Sequence, residues 1–336
     1  MPTMRDWLND WRAAKVQKSM PILSFPAISL LNISVKELIS SSDIQARGMK
    51  RVADRCPTAA SVGMMDLSVE AEAFGCSIKV PDDEVPTVTG RLLASEADVD
   101  RLKPPLPTAG RTGRYIQAIR MARDAITDRP VFAGAIGPFS LAGRLMDMTE
   151  IMVNCLAEPD MVHKTLEKVA EFITGYVFEY KKIGANGVVM AEPAAGLLSP
   201  ALCEEFSSRY VKRVRDAVAD DNFLFMYHNC GNTIPLKDSL MSIRADGYHF
   251  GNAIDIEAML KIVPPDVLVM GNVDPASQFR LGAPESMRET VLALLRRCGK
   301  YPNFRISSGC DIPPLSPWEN IDAFFSAIRE YSPADS

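Results

Sequence analysis

The chain has 336 residues with a formal net charge of −5; 47% of them are hydrophobic and 24% are charged. This is the composition of an ordinary globular protein with a sizeable core, and the negative charge gives no support to a nucleic-acid partner. No apolar run reaches the roughly 18 residues of a membrane helix, and the charged N-terminus lacks a secretory core, so we expect no membrane insertion and a cytoplasmic location.

The N-terminal segment is predicted to be helical over residues 4–17, where two tryptophans lie one turn apart. We expect residues 1–20 to form an N-terminal helical extension that covers the rest of the fold. Residues 21–336 are expected to form a single domain. The apolar run 21–26 is the first predicted strand of that domain.

Seven further apolar segments are predicted to be strands, and helical patterns separate them. The strands cover residues 59–66, 130–137, 187–192, 223–228, 246–250, 267–271 and 304–307. The helices cover residues 43–55, 68–75, 114–127, 140–156, 159–183, 200–218, 255–262, 282–297 and 317–331. Residues 76–110 are rich in proline and are predicted to be an inserted loop with room for a hairpin.

The alternation of strands and helices indicates the fold class. Strands that alternate with helices indicate an α/β fold with a parallel sheet, and eight such units indicate a closed (β/α)8 TIM barrel. An open, doubly wound sheet is the competing architecture. No Gly-x-Gly-x-x-Gly motif follows a predicted strand, so the dinucleotide-binding form of that sheet has no support.

Three residues at or just after the ends of two predicted strands form a candidate metal site. His228 and Cys230 are two positions apart at the end of the fifth strand, so their side chains point the same way. Cys310 follows the eighth strand and is expected at the same mouth of the barrel. Two thiolates and an imidazole suit zinc, and three protein ligands leave one coordination place open, as in catalytic sites. The alternative is a core histidine beside buried thiols.

Several motifs carry a resemblance to a known family. Residues 228–232 (HNCGN), 271–275 (GNVDP) and 309–314 (GCDIPP) resemble the uroporphyrinogen decarboxylase superfamily. They are most similar to its zinc-dependent branch, the methylcobalamin:coenzyme M methyltransferases (MtaA/MtbA/CmuA-like). Residues 69–75 and 192–200 are similar to the same branch, and the resemblance covers nearly the whole chain from about residue 20. It implies a Zn²⁺ ion held by the histidine and the two cysteines of the candidate site.

The sequence also departs from both branches of the superfamily. The arginine-rich N-terminal signature of the true decarboxylases has no match near residues 25–31, which disfavours porphyrinogen decarboxylation. Members of the zinc branch often carry a pair of glutamates after the sixth strand. Gly251 and Asn252 stand there in this chain, so the identity of a fourth ligand stays open.

The resemblance implies transfer of a methyl group from methylcobalamin, held by a corrinoid protein, to a small-molecule acceptor. Coenzyme M, another thiol or tetrahydrofolate are the acceptors considered. A free thiol is mostly protonated at neutral pH, and coordination to Zn²⁺ deprotonates it, so a zinc-bound thiol is ready to attack carbon.

Three carboxylates are predicted to take part in catalysis. Glu192 ends the fourth strand as a fourth ligand or proton acceptor, or else it caps a loop. Glu72 lies in the family-like segment after the second strand, where the alternative is a helix N-terminal charge. Asp311 follows Cys310, either as a partner of the metal ligands or as a turn cap.

Three further residues are predicted to contact substrate. Asn232 either binds a substrate or serves as a turn residue beside a glycine. His249 ends the sixth strand, where it either binds substrate or supports the metal ligands. Asp66 ends the second strand at the same mouth.

Two other functions stay open at this point. One is a decarboxylase-like lyase in which the thiols are incidental, and the other is a non-catalytic module that binds a corrinoid or tetrapyrrole. The sequence names neither the methyl donor nor the acceptor, and it leaves the oligomeric state open, a homodimer included.

Overall fold

The strands of the chain are given by a computed structural model that describes residues 2–331. They are β1 (Ser61–Val62), β2 (Ser77–Lys79), β3 (Thr87–Thr89), β4 (Val131–Ile136), β5 (Gly187–Ala191), β6 (Leu224–Asn229), β7 (Gly247–Phe250), β8 (Val269–Val273) and β9 (Phe304–Ser308). Seven of them form one parallel sheet in the order β1-β4-β5-β6-β7-β8-β9, and β2 pairs with β3 as a separate antiparallel hairpin. The curled parallel sheet confirms the predicted TIM-barrel-like α/β fold.

The α-helices separate and surround the strands. They are α1 (Met4–Ala13), α2 (Ala27–Leu31), α3 (Val35–Ser40), α4 (Ser42–Arg55), α5 (Val69–Ala73), α6 (Glu96–Arg101), α7 (Thr112–Ala125), α8 (Pro138–Met146), α9 (Met148–Ala157), α10 (Pro159–Lys182), α11 (Pro200–Cys203), α12 (Arg209–Val218), α13 (Lys237–Ser242), α14 (Ile256–Ile262), α15 (Pro284–Cys298) and α16 (Trp318–Glu330). Short 3-10 helices span Pro193–Leu197 and Ile234–Leu236, and π-helical turns span Glu204–Ser208 and Pro275–Arg280. Across residues 2–331, no helix combines the length and the apolar character needed to cross a bilayer.

Every residue of the central strands β4, β5 and β6 is buried. Apart from His228 and Asn229 at the end of β6, their sequences are runs of mainly apolar residues without alternation, which is the pattern of parallel strands covered on both faces. Because the strands are parallel, their carboxyl ends lie together, and the ladder register pairs Ala191 with His228 and His228 with His249. The strand ends therefore set the position of the candidate site.

The first predicted strand, residues 21–26, is wrong: this segment joins no backbone ladder. Together with the two residues before it, the segment nevertheless contacts residues at both edges of the sheet. Near β1, the Ala59 N–H donates to the Ser19 carbonyl (2.8 Å). On the β9 side, the Ser307 hydroxyl donates to the Met20 carbonyl (2.9 Å), and the Ile22 N–H donates to the Ser308 hydroxyl (3.2 Å).

Chain chemistry explains why no ladder forms there. Pro21 has no N–H to donate, and serine side chains of β9 replace the backbone partners that a ladder would use. The apolar pattern indicated burial correctly, but it could not distinguish a strand from an extended segment held by side chains.

The helix α1 covers the amino-terminal end of the barrel. It is shorter than the predicted 4–17, and its buried residues Met4, Leu8 and Trp11 pack in one apolar cluster. Buried residues of the parallel sheet and Leu268, just before β8, complete this cluster; the strand residues include Phe132, Val189, Leu224, Met226 and Met270.

A buried arginine holds the end of this helix. The guanidinium of Arg305, on β9, is 3% exposed and donates to the carbonyls of Trp11, Arg12 and Ala14 at distances of 2.7 to 3.1 Å. A cation at a helix C-terminus satisfies carbonyls that have no partner within the helix and complements the helix dipole.

Replacing this arginine tests its role in stability. We expect Arg305→Met to lower the free energy of unfolding by about 2–3 kcal/mol, because three carbonyls lose a charged donor. Urea denaturation followed by tryptophan fluorescence would measure the change, since Trp7 and Trp11 lie on α1.

The matched control is Arg288→Met, which removes an exposed ion pair with Glu330. Its effect should stay within about 0.5 kcal/mol. An equal loss in both variants would contradict the capping role of Arg305.

Candidate metal and active site

The three predicted metal ligands meet at the carboxyl end of the sheet. His228 is the second-last residue of β6, Cys230 follows that strand directly, and Cys310 lies two residues after β9. Their ligand atoms all lie within 4.8 Å of one another. The imidazole is buried, whereas both cysteines are partly exposed, so the cluster opens on its thiol side.

The two thiols of the cluster share a proton unequally. A hydrogen bond from Cys310 lowers the pKa of Cys230, and His228 acts in the same direction, while burial opposes them. The same contact, together with burial, raises the pKa of Cys310. His228 Nε2 lies 3.4 Å from Cys310 Sγ. One thiolate is therefore easily formed, and a cation in the cluster would be needed to favour the second.

His249 stands behind His228 and is cut off from the mouth. Its Nδ1 lies 2.9 Å from Nδ1 of His228, and its Nε2 lies 2.9 Å from the hydroxyl of Ser307. Burial lowers the pKa of His249, and the nearby His228 lowers it further, so the ring is neutral. Both ring nitrogens of this predicted substrate residue thus contact protein groups, and one of these groups is the ring of His228, a candidate metal ligand.

Glu192 is fully buried and directed at a helix instead of at the thiols. Its carboxylate accepts from the N–H groups of Phe139 (3.3 Å) and Ser140 (2.5 Å) in the first turn of α8. Burial raises the pKa of Glu192 to about 8, and the hydrogen bonds from Ser140 and Phe139 oppose this rise. A Cβ on Gly137 would lie 1.7 Å from its Oε2, so this packing requires glycine there.

Asn229 was missed by the sequence reasoning, although it lies between two predicted ligands. It is fully buried, its Oδ1 accepts from Gly231 N (2.8 Å), and its Nδ2 donates to the Glu192 carbonyl (2.7 Å). These bonds fix the turn that carries Cys230. Asn232, the predicted substrate residue, is exposed beyond this turn. Only the position of Asn229 next to the cysteine could have drawn attention to it.

The predicted pair Asp66 and Glu72 lies in a charge cluster with Arg111. The buried guanidinium of Arg111 donates to both carboxylates, and Tyr115 OH donates to Asp66 (2.8 Å). Ser68 also joins the cluster through Asp66 and Arg111. The carboxylates are thus paired with a cation that no sequence motif marked, because Arg111 lies at the end of the inserted loop.

Asp311 lies beside Cys310 and keeps one oxygen free of protein contacts. The residue is partly exposed, but its Oδ1 is buried without a hydrogen-bond partner among residues 2–331. Burial raises the pKa of Asp311, and the negative charge of Asp66 raises it further. The charge of the cluster around Arg111 therefore reaches Asp311, and Asp311 keeps a buried polar atom that no residue of the described chain satisfies.

The sequence has Gly251 and Asn252 where members of the zinc branch often have two glutamates, and the packing at these positions gives a steric reason. A Cβ on Gly251 would lie 2.4 Å from Cys230 Cα, and one on Gly309 would lie 2.8 Å from Asn252 Oδ1. The turns that carry the two cysteines therefore pack directly on residues 251–252, which leaves no room for a side chain at position 251.

Comparison with known proteins places the chain in a family. The family model described as uroporphyrinogen decarboxylase (URO-D) matches residues 25–331. The chain belongs to the URO-D family. The resemblance predicted from the motifs is therefore confirmed.

Relatives within the family carry two kinds of name. The methylcobamide:CoM methyltransferase MtbA of Methanosarcina acetivorans is 23% identical over 98% of this chain and 99% of its own length. The uroporphyrinogen decarboxylase of Alcanivorax borkumensis is 26% identical over 89% of this chain and 86% of its own. These relatives are enzymes.

Among solved structures, a methyltransferase from Methanosarcina mazei superposes with a TM-score of 0.87 at 20% identity, covering 98% of this chain and 99% of that one. This likeness concerns the fold.

The donor set of this URO-D chain fits zinc. One imidazole nitrogen and two thiol sulfurs within 4.8 Å are soft donors, whereas magnesium and calcium prefer carboxylate and carbonyl oxygens. Within the described residues it is the only group of three or more His, Cys, Asp or Glu ligand atoms gathered in this way.

Glu70 makes the site region sensitive to pH. It is buried, its Oε1 accepts from Ile136 N (3.0 Å), and its Oε2 is buried without a partner among the described residues. Burial raises the pKa of Glu70 from 4.5 to about 7. Between these values the unfolded chain loses the proton and the folded chain keeps it. The stability due to protonated Glu70 is therefore complete below pH 4.5 and is lost as the pH rises through 7.

We expect Glu70→Gln, which stays neutral, to flatten this dependence. The loss of unfolding free energy between pH 5 and 7.5, measured in urea, should be smaller in the variant by about 2 kcal/mol. Glu289→Gln changes an exposed glutamate and serves as the control. Parallel curves for Glu70→Gln and the wild type would exclude Glu70 as the titrating group.

Proposed function

We propose that this chain is a zinc-dependent methyltransferase that moves a methyl group between a methylated corrinoid and a thiol or tetrahydrofolate-type acceptor. The observation that carries the proposal is the cluster of His228, Cys230 and Cys310 at the carboxyl end of the barrel. Relatives named methylcobamide:CoM methyltransferase, which align over nearly the whole chain, support it. The methyl donor would be a corrinoid protein.

The histidine and the two cysteines would hold Zn²⁺. Bound zinc would supply Lewis-acid activation, which keeps an acceptor thiol ionised at neutral pH. The chain's own contribution is to present three donors and leave a fourth place free. The partly exposed cysteines face the side from which an acceptor would enter.

Among the predicted catalytic carboxylates, Asp311 is the best placed to meet an incoming group. Its buried Oδ1 has no partner in the described chain and lies one residue from Cys310, so it can hydrogen-bond an acceptor there. Glu192 and Glu72 are engaged by α8 and Arg111, so we propose that they shape the mouth without contacting substrate. Asn232 is exposed near the same turn and would contact the acceptor or the corrinoid protein.

A decarboxylase-like lyase is the second candidate, and the relatives named uroporphyrinogen decarboxylase favour it. An enzyme of this type must hold the carboxylates of a tetrapyrrole with cations. Arg111, the buried arginine in the described site region, is already paired with Asp66 and Glu72. The methyltransferase is therefore preferred over the lyase.

The test combines metal analysis with two activity assays. We expect about one zinc per chain and methyl transfer from free methylcobalamin to a thiol or to tetrahydrofolate. Cys310→Ala should weaken zinc binding at least about 100-fold and abolish transfer, because one of three ligands is lost. Inductively coupled plasma analysis and the absorbance change of methylcobalamin would measure the two effects.

The matched control is Cys155→Ala, which removes a buried thiol on α9 outside the cluster and should leave both quantities unchanged. Methyl transfer that survives removal of the metal would sink the proposal. Consumption of uroporphyrinogen by the metal-free protein would instead establish the lyase.

A further inference from the structure

We propose that Ser307 and His249 are positioning residues that fix the proton of His228 on Nδ1, so that the lone pair of Nε2 faces the two thiols. The inference deepens the proposed function and rests on it, because it concerns how the protein prepares one metal ligand. It starts from a run of four groups joined by short contacts: the Met20 carbonyl, the Ser307 hydroxyl, the His249 ring and the His228 ring.

The first end of the run fixes the serine proton. Ser307 Oγ lies 2.9 Å from the Met20 carbonyl oxygen, and a carbonyl can only accept, so the hydroxyl donates there. The hydroxyl oxygen is then free to accept. His249 Nε2, 2.9 Å away, must be the donor to it.

The proton on His249 Nε2 leaves its Nδ1 as an acceptor, because a neutral imidazole carries one N–H. His228 Nδ1 lies 2.9 Å from that acceptor. The N–H of the second contact therefore belongs to His228. In the neutral His228 ring, the other nitrogen, Nε2, then carries the lone pair, and this is the atom 3.4 Å from Cys310 Sγ.

The second end of the run gives the same answer independently. His228 Nδ1 also lies 3.1 Å from the backbone carbonyl oxygen of His249. An unprotonated Nδ1 would direct its lone pair at that carbonyl oxygen, which also has only lone pairs to offer. The protonated Nδ1 instead donates to that oxygen and to His249 Nδ1, as a bifurcated hydrogen bond.

Burial makes this pair of histidine tautomers strongly preferred over the alternatives. His228 and His249 are each 2% exposed and Ser307 is 0% exposed, so water does not compete for these contacts. In such surroundings the wrong tautomer would leave buried polar atoms unpaired, which costs more than it does at a surface. The protein therefore orients the histidine before a metal arrives, which is how partners of ligating histidines raise metal affinity.

The first test observes the wild-type protein without metal. The chain has three histidines, so long-range ¹H–¹⁵N spectra of histidine-labelled protein give three ring systems to assign. We expect His228 as the Nδ1–H tautomer and His249 as the Nε2–H tautomer. An Nε2–H tautomer at His228 would overturn the inference.

The second test measures zinc affinity by chelator competition. His249→Phe keeps a ring but removes both nitrogens, and Ser307→Ala removes the acceptor for His249. We expect each variant to bind zinc about 10-fold more weakly. In the double variant, Ser307→Ala should lower zinc affinity no further, because the serine is linked to His228 only through His249. Additive losses would show two unrelated structural effects and would overturn the inference.

Ser308→Ala is the matched control, since Ser308 is the next residue on β9 and also bonds the segment 19–24 but does not contact His249. It should leave zinc affinity unchanged even where it lowers the melting temperature of the metal-free protein. If wild-type protein binds no zinc, the proposed function fails, and the tautomers in the spectra still decide the inference. If zinc binds with equal affinity to the wild type, His249→Phe and Ser307→Ala, the inference is wrong and the proposed function is unaffected.

Discussion

The fold and the candidate site both depend on how the chain joins the first strand of the sheet, β1, to the last, β9. The segment 19–24 bridges β9 and the residues just before β1, and serine hydroxyls of β9 bind it in place of a backbone ladder. One of these serines, Ser307, also contacts His249, which contacts His228. Closure of the barrel and orientation of the candidate metal ligand are therefore consequences of the same buried contacts. At the amino-terminal end of the barrel, Arg305 of β9 donates a hydrogen bond to the last turn of α1. The last strand therefore makes contacts at both ends of the barrel.

The carboxylates near the carboxyl end of the barrel are accommodated in two physically different ways, with a cation or without one. Asp66 and Glu72 both pair with the guanidinium of Arg111. Glu70 and Asp311 each have one buried oxygen that finds no partner among residues 2–331, and burial raises their pKa. Burying a carboxylate without a cation is costly, so such groups are tolerated where neutral forms exist or where another group completes them. Asp311 directly follows Cys310 of the candidate metal cluster, so its buried oxygen bears more directly on that site than the oxygen of Glu70 does.

Most strands and helices could be predicted because they depend on local sequence patterns. The apolar runs of β4 to β9 and the helices between them follow from hydrophobic periodicity, and the spacing of His228 and Cys230 follows from the alternation of side chains along a strand. Residues 21–26 failed as a strand because an apolar run reports burial, whereas a ladder depends on which partner supplies the hydrogen bonds. Asn229, Arg111 and Ser307 escaped notice for a related reason: their contacts join residues that are far apart along the chain, and no periodicity marks them.

The sequence alone determined the alternating α/β architecture, the common edge at which His228, Cys230 and Cys310 would meet, and the soft donor set that suits zinc. These follow from side-chain chemistry and from parallel strands, whose carboxyl ends lie together by geometry. Only the tertiary structure decided what surrounds the cluster. It turned Glu192 toward the end of α8, set His249 behind His228 and left no space for a side chain at position 251. The physical reason is that direction and close packing arise between distant segments, so they exist only once the barrel has closed.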